Sequence, residues 1–480
     1  MNSNKTSIQR DKTGSTPLFY CVYNNRLFHA ESVEALLEKS GIKPRIDAEG
    51  IAALTLLGPG RPKGNAVFAG IKELPPGYHA EFTDGKLTVS QYWKPQAKQH
   101  TQSFEETSAV VRGMLTNSIK SYLAESPCLF LSGGLDSSII GAVMKEEGVP
   151  ITSYSVDYEG NSDNFKAGAF QPAQDTPFIE EMREYLGCEH RDVVLDQKSL
   201  FGALRGAMAA RGLPGMADVD SSLYLFCGEV AKECSFALSG ECADELFGGY
   251  RWYFDEAALQ TGAKQATLPW MECAAERASL LRDGALGGIH PHEYIRQVRQ
   301  DIVDDTPFLE SDDELTRKRR EMFYLNYYGF MQTLTERNTA MSRAQGLQVH
   351  APFSDGVLAE YAFNIPWEMK TYSGREKGLL RHAFDDILPK AVAWRKKSPF
   401  PKTHNPEYLR LVTGELRRII NAPDCRLVEI YDKRKLSDLI ESAGAGFRKN
   451  WFGQLMAAPQ IFAYLIQVEY WLREFDVSVV

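Results

Sequence analysis

The heptapeptide Ser132-Gly-Gly-Leu-Asp-Ser-Ser138 constrains this chain more than any other stretch, because of what flanks it. The apolar run Pro127-Cys-Leu-Phe-Leu131 precedes it, and the helix-patterned Ile139-Ile-Gly-Ala-Val-Met-Lys145 follows. A buried strand that feeds a glycine-rich turn and then a helix aims several backbone N–H groups, and the positive end of the helix dipole, at one small volume. Gly133 and Gly134 let the backbone close around an anion without a Cβ in the way. Ser132, Ser137 and Ser138 offer hydroxyls, and Asp136 can hold a divalent cation. That volume suits pyrophosphate. The plain alternative is an ordinary helix cap, where Ser and Asp are favoured anyway; seven ordered residues in this setting argue for the anion site. The run is neither a Walker loop nor the Gly-x-Gly-x-x-Gly dinucleotide fingerprint.

It resembles instead the pyrophosphate loop of enzymes that split ATP between its α and β phosphates, so adenylation is the expected chemistry. A second run lies further along. Cys234-Ser-Phe-Ala-Leu238 reads as a buried strand, with Ser239-Gly-Glu-Cys-Ala-Asp-Glu-Leu-Phe-Gly-Gly-Tyr250 at its carboxyl end. In an open parallel sheet ligands bind beyond the carboxyl ends of the strands, so the two loops are expected to face one pocket. Asp136 and Asp244 would then bracket one metal-bound pyrophosphate, whereas either acid alone would read as a solvated or capping residue. Glu241 is the carboxylate expected to meet a nucleophile.

Together these two runs resemble the asparagine synthetase family. Further pieces match in order: Tyr185-Leu-Gly187 with His190, the block Arg337 to Asp355 with Met341, Gly346-Leu347 and Pro352-Phe353, the stretch Gly374 to Arg381 with Leu388-Pro389, and Arg395-Lys-Lys-Ser-Pro-Phe400. The resemblance implies an α/β fold: a parallel-sheet pyrophosphate-loop synthetase domain of the adenine nucleotide alpha hydrolase type with a helical C-terminal part, preceded by a partial β-rich glutaminase-like domain of the N-terminal-nucleophile type. It implies ATP and Mg2+ as cofactors and L-aspartate and ammonia as substrates, through a β-aspartyl-AMP intermediate. ATP would lie with its phosphates on Ser132 to Ser138 and its adenine near Leu131, Val156, Ser239 and Gly240. Asp136 and Asp244 would hold the metal, and Glu241 would steer ammonia or accept its proton. The family's Arg-x-Lys pattern places its active-site lysine at Lys397, where an ammonium offsets charge on the α-phosphate; a basic pair before a proline turn otherwise reads as an exposed loop. Arg395 and Lys377 are weaker candidates for such a cation, beside which helix-surface and loop-packing readings stand about equally. The family's β-lactam-forming relatives lack Glu at the Glu241 position, which favours ammonia over ring closure.

The chain departs from the family pattern at three places. Met1-Asn-Ser-Asn precedes Arg10 to Tyr20, which resembles the middle of a glutaminase domain, so the N-terminal cysteine nucleophile is missing and no glutamine hydrolysis is expected. Cys21, in an apparent strand, reads as a small buried residue. Gln348 and His350 stand where the family usually has Glu and Arg, read as a packing change, and Arg251 replaces a more usual proline.

Composition agrees with an ordinary globular chain: 480 residues, net charge −9, 44% hydrophobic. No basic field points to nucleic acid, and the cluster Arg317 to Arg320 after Asp312, Asp313 and Glu314 reads as a salt-bridged helix. Eight cysteines without a Cys-x-x-Cys pair suggest neither zinc nor disulfides, and none of the nine histidines forms a metal-spaced cluster. The start lacks a signal-peptide core, and the apolar stretch from Ile461, interrupted by Gln467, Glu469, Arg473 and Glu474, reads as an amphipathic core helix, not a membrane span. A cytoplasmic location is expected. Two units are expected, residues 1–98 and 99–480, joined by the polar segment Lys94 to Phe104. The first reads as strands at Leu18–Tyr23, Arg26–His29, Ala66–Leu74, Tyr78–Phe82 and Lys86–Trp93 with one helix near Val33–Glu38. The second reads as buried strands at Cys128–Leu131, Thr152–Val156, Arg191–Leu195 and Ser235–Leu238 between helices, and largely helical after Trp252.

The partners expected are small molecules, with a separate glutaminase chain or a second copy as candidates. Two other functions remain open: a ligase or cyclase of the same superfamily that adenylates another carboxylate, and a catalytically idle nucleotide-binding subunit, against which the intact loops argue.

Overall fold

Two Asn-Asn and Asp-Gly turns organise the start of the chain. A computed structural model describes residues 5–480 apart from 166, 168–172, 256–258, 260–266, 448 and 454, so the polar start, residues 1–4, lies outside the described residues. The first strands are β1 (Lys5–Gln9), β2 (Phe19–Tyr23), β3 (Arg26–Ala30), β4 (Arg45–Ile46), β5 (Lys72–Glu73), β6 (Tyr78–Thr83) and β7 (Lys86–Gln91). Asn24 and Asn25, and Asp84 and Gly85, all have positive φ, the geometry that closes a two-residue hairpin with the native strand twist. The resulting antiparallel sheets run β1-β6-β7 and β3-β2-β5. Two expectations fail here. Only Lys72–Glu73 of the run Ala66–Leu74 pairs as a strand, because Val67 and Gly70 take positive φ and turn the backbone out of the extended region. A second helical segment, Ala48–Ala52 continuing as a π-helix over Ala53–Leu57, is buried from Gly50 onward, so past its first turn the sequence carries no polar phase to mark it.

The central sheet contains β8 (Cys128–Phe130), β9 (Thr152–Tyr158), β10 (Glu189–Leu195), β11 (Phe236–Leu238) and β12 (Gln348–His350) in the order β10-β9-β8-β11-β12, every neighbouring pair parallel. Chain order therefore reverses between β8 and β11, and at such a switch point the connections leave to opposite sides and open a crevice. Strand β12 was not expected within the helical remainder. His350 in it stacks on Phe236 at 4.9 Å, and Gln348 is exposed.

The helix Ala458–Glu474 is not amphipathic as expected but enclosed, with Gln467 and Glu469 inside. Their polar groups are matched: Gln467 accepts from Gly215 N and donates to Leu204 O, and Glu469 accepts from the backbone N–H groups of Arg426 and Leu427. Past it, β13 (Ser478–Val479) pairs with β4 and ties the end of the chain to its beginning. One apolar core runs from Phe19 to Val477 across the connecting segment. Buried charges alternate across it as well, Arg10–Glu73–Arg61–Glu336–Arg211, each link between 2.7 and 2.8 Å. Removing one member would strand its neighbour's charge in the interior. No helix among the described residues is long and apolar enough to cross a membrane.

Candidate active site

The loops after β8 and β11 meet at the switch point, around a cavity of about 230 Å³. Leu131 N donates to Tyr154 O and Ser239 N to His350 O, so both loops leave the sheet at the same edge. Their contact depends on Gly240. A Cβ there would come within 2.8 Å of Asp136 Cβ and 2.9 Å of Ser137 N, so a larger residue would push the loops apart. The helix Leu135–Glu146 begins at Gly134 with no side chain capping it, which leaves its first N–H groups for an anion.

Of the residues expected for nucleotide, Leu131, Ser132, Gly134, Asp136, Ser137, Val156, Ser239 and Gly240 line the cavity. Two do not. Ser138 follows Ser137 by one helical position, about 100° of rotation, which turns its hydroxyl into the core, where it has no hydrogen-bond partner. The α-carbon of Gly133 abuts the backbone of Phe178 and Ile179, and its carbonyl accepts from Arg395 Nη1 at 3.0 Å.

The charged groups divide into two sets. Lys377, almost wholly buried, lies 2.6 Å from both Asp136 Oδ2 and Asp244 Oδ1, and Lys397 Nζ lies 2.6 Å from Asp244 Oδ2. Burial would raise Asp244, but the ammonium groups of Lys377 and Lys397 outweigh it and hold this carboxyl well below the usual range. Asp136 moves the other way: burial raises it, only partly offset by Lys377, and the like charge of Asp244 adds to the rise. Beyond this set, Glu241 Oε1 faces Arg337 Nη1 at 3.7 Å, and Arg337 Nε is held by Asp220 Oδ1 at 3.0 Å. Burial raises Glu241, with Arg337 opposing.

Sequence reasoning undervalued Lys377 and missed Arg337, Asp220 and Glu376. Glu376 Oε1 accepts from Lys397 N and from Arg381 Nη2, both at 2.9 Å. Lys377 itself has a positive φ of 54°, a conformation a lysine adopts only where its surroundings impose it. The matching stretch Gly374 to Arg381 was the available signal.

Glu245 carries a further consequence. Burial first, then the like charge of Asp244, push it up to about 8, and its Oε1 accepts from Tyr250 OH at 2.5 Å. Between its ordinary 4.5 and about 8 the folded chain keeps this proton while the unfolded chain has released it, so its contribution to stability falls as pH rises through that window. We expect Glu245→Gln to flatten the fall of the unfolding midpoint across this range, an effect on the order of 3 kcal/mol at its alkaline end. An identical pH slope in wild type and variant would refute this.

Comparison with known proteins identifies the family. Residues 111–473 match the family model for asparagine synthase, and residues 1–93 that for a glutamine amidotransferase domain. The chain is 41% identical to glutamine-hydrolysing asparagine synthetase 3 of Bacillus subtilis, over 98% of this chain and 77% of the relative. It is 26% identical to asparagine synthetase 1 of the same organism, over 92% and 73%, and 25% identical to asparagine synthetase B of Escherichia coli, over 69% and 51%. With two loops converging at the switch point and a family match that spans the whole central sheet, the chain belongs to the asparagine synthase family.

Proposed function

We propose that the chain makes asparagine from L-aspartate, ATP and ammonia, releasing AMP and pyrophosphate. The observation that carries this reading is the convergence of Asp136 and Asp244, from separate loops, on a single cation position held by Lys377. Magnesium is typically bound by one or two carboxylates with phosphate oxygens completing its shell, and this pair fits that pattern. Asp244 Oδ1 is buried with no hydrogen-bond partner beyond its ion pair, an oxygen suited to a cation. Bound between these acids, magnesium would neutralise phosphate oxygens and favour departure of pyrophosphate.

In this reading the uncapped helix start and Ser132 cradle the phosphates, and the aspartate side-chain carboxylate attacks the α-phosphorus in line. Lys397 offsets the charge that builds on the phosphoryl oxygens. Glu241, across the cavity, steers ammonia to the acyl carbon and takes its proton, and a raised carboxyl is the better base near neutrality. Arg337 keeps Glu241 oriented. Residues 1–98 form the glutaminase-like unit and 99–480 the synthetase unit; the two family matches support that division. The eight free thiols support a reducing compartment such as the cytoplasm.

Pyrophosphate release, measured with ATP and magnesium over a panel of carboxylates, tests the reading. We expect aspartate to be preferred and asparagine to form with ammonium. No glutamate release from glutamine is expected of residues 1–480 alone, because Cys21 is buried in β2, where burial raises its thiol. Preference for another carboxylate would instead support a ligase or cyclase of the same superfamily. Appreciable glutaminase turnover in that preparation would overturn the nitrogen assignment.

A further inference from the structure

Residues 395–405 form a segment without helix or strand, of which 395–401 line the cavity. A segment of this kind must find partners for its backbone groups outside any ladder, and those partners decide where it sits. Its first end is tied to the phosphate loop and to the turn that carries Lys377. Arg395 donates to Gly133 O and pairs with Asp175, and Lys397 N donates to Glu376 Oε1. The middle, Ser398 to Phe400, lines the cavity, with the Phe400 ring 4.6 Å from the Arg337 guanidinium.

The second end is held by the end of β9 and the turn after it. Tyr158 OH, buried, donates to Pro401 O at 2.8 Å and lies 2.7 Å from Ser222 Oγ. Asn161 uses both atoms of its amide. Its Nδ2 donates to Lys402 O at 3.2 Å and to Asp157 Oδ1 at 3.0 Å, while its Oδ1 accepts from His404 N at 2.8 Å. The amide thus closes a two-point clasp on the backbone at alternate residues, and Asp157 fixes the way it faces. Beside it, Gln197 Nε2 donates to Thr403 Oγ1 at 3.2 Å.

We propose that Asn161, backed by Tyr158, is a positioning residue for the adenylating step: its clasp on residues 402–404 holds the strap so that Lys397 meets Asp244 and the reacting phosphate in one arrangement. The inference rests on the role given above to Lys397. A strap fixed at one end only would let the ammonium sample other positions, and electrostatic stabilisation of a transition state is lost when the charge must be reorganised at the moment of reaction. Asn161 is not among the residues lining the cavity, and its side chain bonds Asp157 and the strap, not Asp136 or Asp244, so its effect must pass through the strap.

The test compares Asn161→Ala and Tyr158→Phe with wild type, each alone and in a Lys397→Ala background, by pyrophosphate release with ATP and aspartate. Amide hydrogen exchange over residues 395–405 is measured alongside. We expect Asn161→Ala to lower kcat by about 10–100-fold with a smaller change in the KM for ATP. Exchange at residues 402–405 rises, most at His404, and the unfolding midpoint stays close to that of wild type. Once Lys397 is gone, Asn161→Ala should add less than about twofold, since the two act as one unit. Unchanged kcat and exchange in Asn161→Ala would overturn the proposal, as would a full additional loss in the Lys397→Ala background. If wild type releases no pyrophosphate with any carboxylate, the functional reading above fails, while the exchange measurement still decides whether the clasp holds the strap.

Discussion

Asp136→Asn and Asp244→Asn are each expected to reduce pyrophosphate release by about 10³-fold, a loss of several kcal/mol of transition-state stabilisation. The expectation follows from the geometry of the charged set. Both acids lie 2.6 Å from the same ammonium, so they address one cation position and not two. Losing a shared cation twice costs little more than losing it once, and the double variant should be close to either single one. Each single variant leaves the buried Lys377 with one carboxylate partner; Asp244→Asn also removes the partner of the more exposed Lys397, and thermal unfolding checks that both variants stay folded. Two mild effects that add would show that the loops do not share a site.

Lys397→Ala and Glu241→Gln should fail at different steps. Lys397 reaches Asp244 and belongs to the phosphate end, so its loss should suppress pyrophosphate release under every condition, by about 2–4 kcal/mol of barrier for a preorganised donor. Glu241 faces Arg337 on the other side of the cavity. Glu241→Gln keeps the shape and removes the charge, and should depress asparagine formation more than adenylate formation. Hydroxylamine, which intercepts the acyl-adenylate, distinguishes the two: hydroxamate should still form in Glu241→Gln and be nearly absent in Lys397→Ala. Equal loss of pyrophosphate release in both would move Glu241 into substrate or metal binding.

Burial makes this site sensitive to its neighbours. Asp244, Glu241 and Glu245 lie within five residues of one another, yet Asp244 is held ionised by two lysines while burial raises the other two. Carboxylates whose environments drive them apart in this way are suited to different tasks, one binding a cation and another exchanging a proton.

The sequence alone determined the local pieces. The heptapeptide between a strand and a helix specified the anion-binding turn, and Asn24-Asn25 and Asp84-Gly85 specified the hairpins, because glycine, asparagine and aspartate at those positions restrict the backbone of their own few residues. Asp136, Glu241 and Asp244 stood out as candidates because each lies within a short patterned run, and Lys397 only through the family resemblance. The tertiary structure decided what brings them together. The pairing of β11 with β8 and with β12, the bare Gly240 that lets two loops touch, and the place of Lys377 between two acids all join residues more than a hundred positions apart. Such contacts are set by how the whole core packs, to which no short run of residues corresponds. The same reason hid the segment Gly50–Leu57 and the buried polar residues between Gln460 and Leu472: where a stretch is enclosed, its neighbours and not its own periodicity determine which residues are buried.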